Sequence, residues 1–172
     1  MKAFVELFRD IVLWRKGPQD LPASVLLLWL AAAAYVGVSA VQLGVLGETG
    51  LAWVFFLVFD PLLLTLCVWL ILRLFSHPER FLQTATAVLG TGAYLSAVLY
   101  LPLQVVMTLL HAGPDSTLAR VVALVLLGTF VMVTGRILQL GTDTNLFTGV
   151  AFALTYFFII NSLLSLLPGG GS

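Results

Sequence analysis

Residues 51–75 read LAWVFFLVFDPLLLTLCVWLILRLF, an apolar run broken by one aspartate and one arginine. Coiled into a helix at ~1.5 Å per residue, the run is long enough to cross the ~30 Å hydrocarbon core of a bilayer. Its apolar residues follow one another without the alternation of a barrel strand. A backbone immersed in lipid must satisfy its own hydrogen bonds, so the run predicts a transmembrane α-helix.

The pattern recurs on both sides. Comparable runs cover 23–43, 82–110, 121–140 and 146–167, which gives five predicted spans. Of the 172 residues, 60% are apolar and 9% charged, with a mean hydropathy of +1.09. A soluble domain carries about a quarter charged residues, so this chain has too few to coat a globule in water. The predicted fold class is all-α: a polytopic membrane helical bundle of five transmembrane helices plus an N-terminal interfacial amphipathic helix.

Three parts follow. Residues 1–22 form a cytoplasmic amphipathic helix and a proline-containing break, 23–167 the five-span bundle, and 168–172 a flexible tail. In the first part Phe4, Val5, Phe8, Ile11 and Val12 share one side of a helical wheel, opposite Lys2, Glu6, Arg9 and Lys16. With Trp14 near its end, this helix is predicted to lie in the headgroup region. Glu6, Arg9 and Asp10 interrupt any signal-peptide core. Two prolines in Gly17-Pro18-Gln19-Asp20-Leu21-Pro22 then re-aim the chain. The links at 44–50, 76–80 and 141–145 are short, so consecutive spans are antiparallel neighbours. Thr144 or Asn145 is the predicted N-cap of the last span. The run at 82–110 is longer than one crossing needs, so it must tilt, bend at Pro102 or begin as an interfacial turn.

Basic residues set the predicted orientation. With five spans, Lys2, Arg9, Arg15, Lys16, Arg73, Arg80 and Arg136 fall on or nearest one side, and Arg120 on the other. That places the N-terminus in the cytoplasm and the C-terminus outside.

Asp60 is the residue that most needs explaining. A carboxylate near mid-bilayer costs ~2.5–3.5 kcal/mol on insertion scales and requires a partner or a task. Pro61 beside it frees the carbonyl of Leu57, an arrangement suited to cation or proton handling as in broken transporter helices. The plainer reading is a protonated or paired aspartate that stabilises a kink. Arg136 is the candidate partner, although it can also snorkel to the headgroups. Pro102, Gln104 and Asn161 complete the candidate intramembrane polar site, with Tyr94 and Tyr100 available beside Pro102. Small residues about one helical turn apart predict close helix packing: Ala33 and Gly37; Thr86 and Gly90; Gly92 and Ser96; Gly149 and Ala153.

Enzyme signatures are missing. The sequence has no His-Glu-x-x-His, Gly-x-Ser-x-Gly, phosphate-binding Gly-x-x-x-x-Gly-Lys or CxxC. His77 and His111 fall on opposite faces, and Cys67 is the single cysteine, so neither a metal centre nor a cofactor is expected. A net charge of zero gives no reason to expect nucleic acid.

Leu89-Gly90-Thr91-Gly92-Ala93-Tyr94 running into Tyr100-Leu101-Pro102, and the connection from Arg136 to Ala153, resemble the Yip1-like membrane proteins, in particular bacterial members. The resemblance implies five closely spaced spans after an amphipathic helix, in the bacterial inner membrane, and an organising or accessory role. The Asp-Leu-Tyr-Gly-Pro segment of eukaryotic members is absent, so small-GTPase binding is not carried over. The expected function is a non-catalytic accessory or scaffold protein that works through helix contacts with other membrane proteins or with itself. The alternative is a small transporter or channel-like protein built on Asp60, Pro61, Pro102 and Gln104.

Overall fold

The structure, a computed structural model, describes residues 2–46, 51–110 and 116–165. The turn around Glu48, most of the 111–117 loop and the 168–172 tail lie outside the described residues. Helix α1 covers Lys2–Val12, α2 Val25–Leu46, α3 Leu51–Leu74, α4 Phe81–Leu95, α5 Leu101–Leu109, α6 Thr117–Thr142 and α7 Leu146–Ser165. Among the described residues there is no strand. Five helical stretches are long and apolar enough to cross a membrane: Val25–Val45, Phe56–Leu74, Pro78–Leu109, Thr117–Thr142 and Leu146–Leu163.

Helix ends are set by local chemistry. Ser116 caps α6 by accepting from the Ala119 amide at 3.1 Å, and Asn145 caps α7 by accepting from the Thr148 amide at 2.8 Å. Asp143 ends α6 in the left-handed region at φ 52°. These caps carry α6 a few residues beyond the predicted 121–140 at both ends.

The run 78–109 resolves the length problem by changing its helix type. A 3₁₀ turn at Pro78–Arg80 leads into α4, and a π-helical turn at Ser96–Tyr100 joins α4 to α5. There the Leu101 amide bonds the Ser96 carbonyl five residues back, just ahead of Pro102, which has no amide to give. Pro61 behaves differently from the sequence expectation. Helix α3 runs unbroken through it, with the Thr65 hydroxyl donating to the Pro61 carbonyl at 2.7 Å.

Helix α4 is the axis of the bundle. Ten consecutive residues, Thr84 to Ala93, are buried on every side, which is possible because most are Ala, Gly or Thr. Helices α1, α2, α3 and α6 surround them. The sequence predicts that the apolar face of α1 rests on lipid. Instead Phe8 and Ile11 are buried against protein, while Val5 on the same face and the following Leu13 and Trp14 are exposed. Protein is the better solvent for that face because Gly90 leaves a gap that the Phe8 ring fills.

One end of the bundle gathers the chain breaks. The Gln83 side chain donates to the Leu21 carbonyl at 2.8 Å, and Arg80 pairs with Asp143 at 2.7 Å. Segments 17–22, 76–80 and 141–145 therefore share what we term the near end. The far end carries the opposite helix ends and α5, which has no buried residue.

Candidate functional site

Asp60 is 4% exposed and is held by two other helices. The Tyr35 hydroxyl of α2 donates to its Oδ2 at 2.6 Å, and the Tyr156 hydroxyl of α7 donates to its Oδ1. The three residues come from comparable depths: Asp60 is nine positions past Leu51, Tyr156 nine before Ser165, and Tyr35 eleven before Leu46. Gly92 makes the α2 contact possible, since a Cβ there would stand 2.8 Å from the Tyr35 ring. The carboxylate thus staples α2, α3 and α7.

The staple borders a cavity of about 740 Å³ in the far half of the bundle. Its walls are mainly apolar and aromatic, from Phe56, Leu124, Leu127, Phe130, Phe157 and Ile160. Polar atoms come from Asp60, Tyr35, Tyr156, Tyr100, Arg120 and Asn161. Tyr100 belongs to the π-helical turn, and its hydroxyl donates to the Leu126 carbonyl at 2.8 Å. The cavity falls within the ~300–1,000 Å³ range of small-molecule sites and has their mixture of apolar wall and few polar groups.

The other candidate polar residues separate. Asn161 lines the cavity, but its amide donates to the Phe157 carbonyl of its own helix at 2.8 Å rather than across helices. Arg136 is not a partner of Asp60. It donates to Gln139 Oε1 at 2.7 Å, and its guanidinium stacks over the Trp14 ring at 5.6 Å. Its charge gains an aromatic face near the polar end of α6 and avoids desolvation at the centre. Pro102 is exposed and Gln104 half-buried on α5, and neither is among the described lining residues of the cavity. Pro61 faces a separate groove of about 530 Å³ between α2 and α3, which Ala33 also lines.

Small residues divide the same way. Gly90 receives Phe8, Gly92 receives Tyr35, and Ser96 is buried at the start of the π-helical turn. Gly149 sits against the Gly135 carbonyl, so α6 and α7 cross backbone to backbone, with Ala153 buried one turn on. Ala33 and Gly37 are exposed, and a Cβ on Gly37 or Gly44 would meet nothing within 4 Å. The α2 face is therefore uncovered by the chain's other described residues.

Tyr35 and Tyr156 are the site residues that sequence reasoning missed. Their depth relative to Asp60 was available by counting from helix ends. Their rotation about those helices was not. The chain was also compared with known proteins, and no family model, curated protein or solved structure matches it.

Proposed function

We propose that the chain is a non-catalytic integral membrane protein that acts as an accessory or scaffold by docking a transmembrane helix of a partner, or of a second copy, on α2. The observation that carries this is the exposed face of Ala33, Gly37, Ala40 and Gly44, small residues three or four apart. They allow a second helix to approach closely, while the neighbouring groove along Ala33 and Pro61 receives its larger side chains. The proposed setting is a bacterial inner membrane with the N-terminus cytoplasmic, following the basic residues that favour the near end. The Yip1-like resemblance supports the same accessory role.

The test is cross-linking in native membranes through Gly37→Cys in a Cys67→Ser background. We expect a discrete cross-linked species that Ala40→Leu in the same chain removes. Recovery of neither a partner nor a homo-oligomer, by cross-linking or by mild-detergent purification, would overturn the reading.

A second reading, a small transporter centred on Asp60, has one observation in its favour: a cavity reaches that carboxylate. The continuous α3 and the ten buried residues of α4 weigh against it, because small, close-packed residues fill the bundle between the near end and that cavity. Flux of a proton or cation in proteoliposomes that Asp60→Asn abolishes would favour transport. Its absence for every ion tested would remove it.

A further inference from the structure

The geometry points to the Asp60 cavity as a binding site for a lipophilic organic cation, seated with its positive centre between the Asp60 carboxylate and the rings of Tyr35, Tyr100 and Tyr156.

The chemistry of the lining selects the ligand's charge. Each of the three tyrosine hydroxyls has one proton, and each proton is already committed: two to Asp60 and one to the Leu126 carbonyl. What remains pointing toward a guest at that level is lone pairs, carboxylate oxygens and aromatic faces. Such a surface accepts hydrogen bonds and attracts positive charge, and it offers an anion nothing. A buried carboxylate is costly without a counter-charge, and among the described residues no basic side chain pairs with Asp60. An incoming cation would supply that missing charge.

Arg120 borders the same cavity and must be weighed. Helices α6 and α7 cross antiparallel with Gly135 against Gly149, which sets Tyr156 level with Gly128. Arg120 is eight residues further along α6, roughly 12 Å of helix. Coulomb energy falls as the inverse of distance. A cation seated against Asp60 is therefore attracted at contact distance, whereas Arg120 is based about two turns further along α6. The apolar walls between the two charges call for a ligand whose positive centre carries hydrophobic groups rather than a hydrated metal ion. This inference uses the Tyr35 side of α2 rather than the exposed Ala33, Gly37, Ala40 and Gly44 face, and does not depend on helix docking there.

The test uses the full chain in lipid nanodiscs, with tetraphenylphosphonium and the equally large anion tetraphenylborate as probes and empty nanodiscs as background. We expect saturable binding of the phosphonium only, weakened about tenfold or more by Asp60→Asn and abolished by Leu127→Trp, which fills the cavity without touching the staple. Equal binding of the borate, no saturation above empty nanodiscs, or unchanged affinity in Asp60→Asn would each overturn the site. If Asp60→Asn does not yield folded protein, Leu127→Trp decides: wild-type binding in that variant overturns the assignment. Leu127→Trp should leave the Gly37→Cys cross-link intact, so failure of the cavity and failure of the α2 face are read separately.

Discussion

The two halves of the bundle are built from the same chain by different rules. In the near half, α4 presents alanine, glycine and threonine on all sides, and four neighbouring helices close on it. In the far half, its continuation α5 carries Leu, Val and Met with no buried position, and α3, α6 and α7 stand apart around a cavity. The π-helical turn at Ser96–Tyr100 is the boundary. The contrast teaches that side-chain size, more than hydrophobicity, decides where an apolar bundle closes. Both halves are about equally greasy, and lipid solvates large apolar residues as well as protein does. Only small residues let backbones come near enough for packing to win.

The contrast can be broken most severely at Gly149. A leucine there would collide with the Gly135 carbonyl, a backbone atom that cannot rotate away. We expect a loss of about 3 kcal/mol or more, seen as a collapsed thermal transition in detergent. Wild-type melting of Gly149→Leu would show that the near half is not held by backbone contact. Next in size is Phe8→Ala, which empties the gap over Gly90 and should cost about 3 kcal/mol, with α1 becoming open to protease while the five long helices stay protected. Cleavage within those helices instead would mean that α1 is integral to the bundle.

Asp60→Ala tests the junction of the two halves. It strands two buried phenols at about 1–3 kcal/mol each if both stay unpaired, so we expect a loss of about 2 kcal/mol after relaxation. Adding Tyr35→Phe and Tyr156→Phe should recover most of it, and a double-mutant cycle without coupling would dissolve the staple. The smallest effect belongs to Gly37→Leu. With open space around that position and a better helix former in place, stability should change by at most about 1 kcal/mol, upward. A clear destabilisation would show that the α2 face is already in use within the chain.

The five long helices were legible because each is an unbroken apolar run, and length against bilayer thickness leaves little choice. Small residues about a turn apart showed where helices can approach. They did not show which do: Gly149 and Gly92 meet neighbours, while Gly37 meets none. A low-charge sequence carries no strong amphipathic stripe along its long helices, so the rotation of each about its axis is hidden. That is why the sequence offers Arg136 to Asp60 only as a candidate, against snorkelling to the headgroups, and does not reveal the two neutral hydroxyls that Asp60 finds in the structure. For α1 the amphipathic pattern was plain, yet it reports only that one side avoids water, and lipid and protein satisfy that equally.

The stacking of Trp14 on Arg136 has a consequence for how the molecule is made. Trp14 is held at φ 62°, a conformation bulky residues adopt only when their surroundings impose it. The turn that ends α1 sets this backbone, and the guanidinium stacked on the ring comes from α6, far later in the chain. The seat of α1 is therefore incomplete until α6 joins the Gly90 face of α4. Until then its apolar side has only part of its cover, and its final docking waits on the assembly of helices far apart in sequence.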